Sequence, residues 1–403
     1  MSTEFPAAPR SLPARPDLRH LKDQAKDLLA GGRAKSLADA QFQIARLYGF
    51  PSWPRLKAHV ELLSESGELK AAIDRDDLAA VAVLMTRNPG LHRALMGYKD
   101  NGPLTYVAAS QQPPSAARLA IAEWMIAHGS DVHRGGDGPL MRAALRGDRI
   151  PMMELLVAHG ADVNALWNGN YPILFAPCET VDPASLRWLL AHGAHPDCPR
   201  PGRRTTALDY LIGSYVRSPG LGECIDLLVM AGGTTRYDQP GVLDLLTGRL
   251  DRLSRTLDAN PDLVHHRFSQ LDFGATGGRR LTLVGATLLH VAAEYGNPDA
   301  AALLLDRGAD VNAAALIDDN GIGGQTPIFH PVTQAAGDRG LSTTKLLLER
   351  GADLAARAKL PGHYERPHEM VECTPLGYAL RFPEDRLNSA TIELLRAHNA
   401  GEL

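Results

Sequence analysis

The chain has 403 residues, and a single hydrophobic core stops growing at roughly 250–300, so it is multi-domain or an elongated repeat array. Apolar residues make up 44% and charged residues 22%, a globular composition rather than a disordered one. A formal net charge of −4 argues against a general nucleic-acid binder, and no stretch approaches the roughly 20 apolar residues of a membrane span.

Residues 1–16 read as a flexible, Pro-rich N-terminal segment without the apolar core of a signal peptide. Residues 17–66 read as three helices. Leu18, Leu21, Ala25, Leu28 and Leu29 keep one face of the first. Ser36-Leu-Ala-Asp39 is a capping box that opens the second, and Ser52-Trp-Pro-Arg55 opens the third, with Leu56, Val60 and Leu63 inward. The expected product is a cap with a polar outer face.

From 67 to 403 the sequence repeats. Ala127-His-Gly-Ser-Asp-Val132, Ala158-His-Gly-Ala-Asp-Val-Asn164, Ala191-His-Gly-Ala-His195, Arg307-Gly-Ala-Asp-Val-Asn312 and Arg350-Gly-Ala-Asp-Leu354 are copies of one phrase, with a degenerate copy at Ala231-Gly-Gly-Thr-Thr235. Each ends an apolar helical run, so Gly129, Gly160, Gly193, Gly232, Gly308 and Gly351 read as left-handed residues just past a helix end. Upstream, Thr326-Pro-Ile-Phe329 and Thr374-Pro-Leu-Gly377 put a capping hydroxyl before a first-turn proline. Thr287-Leu-Leu-His290 leads into the Ala-rich Val291-Ala-Ala-Glu-Tyr-Gly296.

These phrases resemble the ankyrin repeat, whose pattern is T-P-L-H-x-A-A followed by G-A-D-V-N; Gly285 to Asn312 is the best match. About nine units can be placed, starting near Glu68, Asn101, Asp137, Asn168, Arg203, Gln239, Gly285, Gly323 and Glu372, with a possible restart of the array near 239. The leader, Leu21-Lys-Asp-Gln-Ala-Lys-Asp-Leu-Leu29 and Tyr48-Gly-Phe-Pro-Ser-Trp-Pro54, resembles that of many bacterial ankyrin-repeat proteins. The resemblance implies an all-α solenoid of stacked helix-turn-helix units with hairpin-like fingers, capped by the N-terminal three-helix module. It also makes the histidines before the loop glycines, and His290, structural. Thin Ala–Leu layers explain the 5% aromatic content.

Catalytic signatures are missing from the sequence: there is no GxxxxGK[ST], GxSxG or HExxH. Cys178, Cys198, Cys224 and Cys373 form no zinc-ligand spacing and suit a reducing, cytoplasmic compartment. The densest ligand-type cluster is Leu360 to Cys373, but the spacing of His363, Glu365 and His368 around Pro367 fits no standard site. No metal and no cofactor is therefore expected, and the chain is not read as an enzyme.

The expected function is a non-catalytic scaffold that binds an unidentified protein across the concave face of fingers and inner helices, with no nucleic acid and no membrane among its partners. Exposed fingertip candidates for that contact are Trp167, Asn170, Tyr171, Arg203, Arg204, Tyr237, Arg279, Asp318, Asp319, Asn320, His363, Tyr364, Glu365 and Arg366, because Trp, Tyr and Arg most often anchor interfaces. Long fingers near 312–330 and 356–376 support the alternative of an enzyme or small-ligand binder. A deep polar pocket near His330, Gln325, His363 and Glu365 would favour it. An apolar patch across the N-terminal helices would instead favour assembly through that module.

Overall fold

The computed structural model describes residues 10–13, 16–197, 205–214, 218–269, 284–333, 338–361, 369–381 and 388–400. They fall into two units, one of residues up to 143 with 151–162, the other of 144–150 with 163 onward.

In the first unit, α1 (Leu18–Ala30), α2 (Leu37–Leu47) and α3 (Trp53–Asp74) bring together Leu21, Ala25, Ala40, Ile44, Ala45, Leu56 and Val60. Burial of each Leu, Ile or Val side chain among them contributes about 1.5–3 kcal/mol. Ser36 accepts from the Asp39 amide and Asp39 accepts from the Lys35 amide, so the capping interactions fix where α2 begins. The helix opened at Ser52 runs unbroken past residue 66 to Asp74 and packs on α4 (Leu78–Arg87). The outer face of the module is not wholly polar, since Leu29, Leu37, Phe42, Leu47 and Leu63 are exposed, which corrects the expected polar face and the inward placement of Leu63.

Helix pairs follow: α3 with α4, then α5 (Pro103–Ala108) with α6 (Ala116–Ala127). Next come α7 (Arg134–Ala143), which packs on α5 and is regular only after Asp137, and α8 (Ile150–Ala158). The second unit holds a hairpin of β1 (Leu166–Trp167) and β2 (Tyr171–Pro172). Its helix pairs are α9 (Phe175–Thr180) with α10 (Pro183–Ala191), α11 (Ala207–Ile212) with α12 (Leu221–Met230), α13 (Val242–Leu246) with α14 (Leu250–Ala259), and α15 (Leu288–Glu294) with α16 (Pro298–Asp306). Then α17 (Asp338–Glu349) is preceded by two short 3-10 turns, Pro327–Phe329 and Pro331–Thr333. Pro331, which has no N–H to donate, interrupts what would be a first helix there. A second hairpin, β3 (Ala358–Pro361) with β4 (Met370–Cys373), precedes α18 (Pro375–Ala379) and α19 (Ser389–Ala400).

The architecture is thus mostly helical but not all-α, because two fingers are long enough to pair as antiparallel ribbons. Trp167 lies opposite Tyr171 across a turn in which Asn168 and Gly169 have φ of 48° and 71°. Asn and Gly tolerate that left-handed conformation best.

The loop phrase has one backbone geometry. At the end of α6 the Gly129 amide bonds to the Ile126 carbonyl and the Ser130 amide to the Met125 carbonyl, closing a Schellman motif around Gly129 at φ 109°. Gly160, Gly193, Gly232, Gly308 and Gly351 have φ between 87° and 98° and the same paired bonds. His128 and His192 cap their helices with ring Nδ1–H donated to the Trp124 and Trp188 carbonyls at 2.7 Å. The acceptor is a carbonyl, which settles the tautomer.

Candidate partner-binding surface

Side chains tie successive fingers together. The Asn164 amide donates to the Gly193 carbonyl at 2.9 Å while its oxygen accepts from the His195 amide at 2.8 Å. Asn312 repeats this with the Gly351 carbonyl and the Asp353 amide. Only a side chain with both a donor and an acceptor can do this, which explains Asn at the end of the loop phrase. Asp197 has acceptors alone, and it takes the Thr234 amide and hydroxyl instead.

A second set of bridges joins successive first helices. Tyr106 donates to Asp74 at 2.6 Å, Tyr210 to Glu179 at 3.2 Å, and His330 Nδ1 lies 2.8 Å from Glu294. The register is the same each time. The acid stands three residues before the residue that caps the second helix, Asp77, Asp182 or Asn297. The donor stands four residues after the cap of the next first helix or turn, Gly102, Thr206 or Thr326. Tyr171 adds a second phenol to Glu179 at 2.7 Å. Burial, and then the carboxylate, push the Tyr106 phenol up to about 12. Burial is also the main cause that raises Tyr171 and Tyr210, so all three hydroxyls stay protonated donors.

His290 is held from both sides. Its Nδ1 accepts from the Thr287 amide at 3.1 Å and lies 2.9 Å from the Thr287 hydroxyl, while Nε2 donates to the Gln325 carbonyl at 3.1 Å. Burial, with His330 adding to it, pushes its pKa down to about 3. The ring is neutral and bridges one finger to the start of the next turn.

Nothing resembling an activated nucleophile accompanies these bridges among the described residues. Burial raises the Cys178 and Cys373 thiols and pushes Cys224 up to about 12, so each is held protonated. No group of three or more His, Cys, Asp or Glu among the described residues could hold a metal ion. A cavity of about 350 Å³ is present, but not at the long fingers. It is lined by the turns around Ser218, Thr247 and Asn297. His330 and Gln325 are instead fully buried.

The fingertip candidates divide. Trp167, Tyr171 and Tyr237 are buried, which corrects their assignment as exposed anchors. Residues opposite each other on a ribbon share one face, and the Trp167–Tyr171 face is the inner one. Their rings meet edge to face at 5.7 Å, and Tyr171 continues to Phe175 and Tyr210 at 5.8 Å each. Tyr237 is enclosed completely, with the Arg236 guanidinium 5.4 Å from its ring centre. Asn170, Asp318, Asp319 and Asn320 are exposed. Asp318 closes its own turn by accepting from the Asn320 and Ile322 amides at 2.9 and 2.8 Å. Arg203, Arg204, Arg279, His363, Tyr364, Glu365 and Arg366 lie outside the described residues. The aromatic fingertip that sequence reasoning missed is Tyr98, 47% exposed. Its signal was Gly97, four residues ahead of the Asn101-Gly102-Pro103 helix start.

Against this geometry, residues 135–168 and 284–315 match the family model for the ankyrin repeat. The chain carries ankyrin repeats. One solved structure similar to this chain is the human ASB11 ankyrin repeat domain, at 20% identity and a TM-score of 0.31, covering 73% of this chain and 97% of its own. No curated protein matches. The two matched ankyrin segments contain the Gly135–Asp137 turn and the complete Thr287 to Asn312 unit, while the remaining helix pairs are more divergent in sequence. Ankyrin repeats are generally protein–protein interaction modules, and no described helix is long and apolar enough to cross a membrane.

Proposed function

We propose that the chain is a non-catalytic scaffold that binds a protein partner through its fingers and first helices, in the cytoplasm of a bacterial cell. The observation that carries this reading is the double set of bridges: Asn164 and Asn312 between fingers, Asp74, Glu179 and Glu294 between first helices. A surface fixed in this way loses little conformational entropy on binding. The buried free thiols of Cys178, Cys224 and Cys373 suit a reducing compartment. On this reading α1, α2 and the first part of α3 form the N-terminal cap of the array. Asn170, Asp318, Asp319 and Asn320 are the described contact residues, and Arg203, Arg204, Arg279, His363, Tyr364, Glu365 and Arg366 extend them.

The test is affinity capture with the full chain, identification of the retained protein by mass spectrometry, and calorimetry of the purified pair. Joint replacement of Asn170, Asp318, Asp319 and Asn320 by Ala should weaken that pair at unchanged melting temperature. Equal affinity for wild type and variant rejects these contacts, and turnover of a small molecule by the purified chain rejects the scaffold reading.

A further inference from the structure

The finger between Leu95 and Gly102 in the first unit has three unusual properties at one place. It exposes large apolar surface, with Leu95 69% and Tyr98 47% accessible. It is strained, because Lys99 and Asp100, neither of them glycine, stand consecutively at φ 50° and 58°. Such conformations cost of order 1–3 kcal/mol each and persist only where the surroundings over-determine them. It is also clamped by cations. The Arg142 guanidinium sits 4.7 Å from the Tyr98 ring centre and the Lys99 ammonium 6.0 Å. Arg134 reaches the Arg93 carbonyl at 3.3 Å and the Asp100 carbonyl at 3.5 Å. Lys70 lies over Tyr106 one helix further along.

The clamp explains the strain. Gly97 and Gly102 bring the backbone so close that an added Cβ at Gly97 would stand 3.0 Å from the Gly102 oxygen, and one at Gly102 would stand 3.1 Å from Arg134 Cδ. This close packing supports the finger, and in it Tyr98 turns outward rather than into the layer beneath. A fixed, half-exposed tyrosine flanked by arginine and lysine is the composition of an interface anchor. Arg93, Lys99, Arg134 and Arg142 outnumber the finger's own exposed carboxylate, Asp100, so this tip is cationic on a chain whose formal net charge is −4.

We propose that the Leu95–Lys99 fingertip, with Arg134 and Arg142, is a docking surface for an acidic protein segment carrying an apolar residue. This deepens the scaffold reading and rests on it. Carboxylates complement Arg and Lys at the rim, and the apolar residue covers Leu95 and the Tyr98 ring. Electrostatic steering makes association faster and salt-sensitive.

The experiment uses the full chain and fluorescence anisotropy of three labelled probes: a short glutamate peptide with interspersed leucines, the same peptide with lysine for glutamate, and oligo-deoxythymidine. The acidic peptide should bind, weaken with added salt, and outcompete the other two. Tyr98→Ala and Lys99→Glu should each weaken it by roughly tenfold, the loss of one interface anchor. Lys99→Gly removes the charge together with the left-handed strain, so it should weaken binding without lowering the melting temperature. Absence of acidic-peptide binding, tighter binding of oligo-deoxythymidine, or an unchanged affinity in Tyr98→Ala overturns the proposal. Should the captured protein still bind Tyr98→Ala but not the Asn170/Asp318/Asp319/Asn320 variant, the fingertip proposal fails while the scaffold reading stands.

Discussion

His330 Nδ1 lies 2.8 Å from Glu294 Oε2, and both side chains are buried. The same register holds Tyr106 to Asp74 and Tyr210 to Glu179, but only here is the donor an imidazole fully out of solvent. Removing one partner of a buried hydrogen-bonded pair leaves the other with its desolvation cost. His330→Leu should therefore destabilise by about 2 kcal/mol, with Glu294→Leu added to it recovering part of the loss. Urea unfolding of the two single variants and the double variant measures the coupling. Simple additivity of the two changes would show that the pair does not act as a unit.

Gly351 sits at φ 87° with open space where a Cβ would point, so strain rather than collision decides the effect of substitution. Gly351→Val should cost more than ~1 kcal/mol, the left-handed penalty for an L residue. Gly351→Asn should cost less, because Asn tolerates this region. Both variants keep the carbonyl that accepts from Asn312. Equal melting temperatures for Val and Gly would rule out the left-handed placement.

How much was legible follows from the range over which each feature is decided. The Thr-Pro caps and the loop glycines are settled within one turn of helix, so Thr287, Thr326 and Gly129 could be placed from the sequence. Burial of Trp167, Tyr171 and Tyr237 is decided by the neighbouring layer, which no local pattern reports. The register of Asp74, Glu179 and Glu294 was open to inspection, since each precedes a capping Asp or Asn by three residues. Their donors, however, lie more than 30 residues away in a different helix or turn. Tyr98 was obscured for a related reason: the cations flanking its finger, Arg134 and Arg142, come from the next repeat.

Because Tyr237 is enclosed, Tyr237→Ala should behave as a core truncation rather than as the loss of a contact anchor. Emptying an aromatic site of this kind costs about 3 kcal/mol. Thermal unfolding should show the deficit in the isolated chain. A normal melting curve combined with weaker partner capture would return Tyr237 to the surface.

His290 gives the fold a dependence on acidity. Its pKa falls from 6.5 to about 3 on folding. The unfolded chain therefore takes up a proton near pH 6.5 that the folded chain refuses. Its contribution is complete above that value and is lost as the pH drops, at about 1.4 kcal/mol per pH unit until the folded pKa is reached. His290→Gln should flatten this slope relative to wild type between about pH 7 and pH 5, as read from urea midpoints. Parallel slopes in the two proteins would mean that the imidazole is not the group responsible.

Tyr295 supplies a bond of longer range. Its hydroxyl donates to the Ile212 carbonyl, 83 residues earlier, passing over the pair formed by α13 and α14. In a stacked array each layer normally touches only its neighbours. Here the seventh pair reaches the fifth, and the cavity lined by Thr247 also includes Tyr295. Ile212 ends α11, so its carbonyl has no partner within its own helix. Tyr295→Phe keeps the ring and removes only the donor, which should lower stability by about 1 kcal/mol. Tyr295→Ala also opens the core and should cost about 3 kcal/mol or more. If Phe were as stable as Tyr while Ala was not, packing alone would join the two pairs. A deficit in both, larger for Ala, identifies the hydroxyl as a separate tie between layers that are not adjacent.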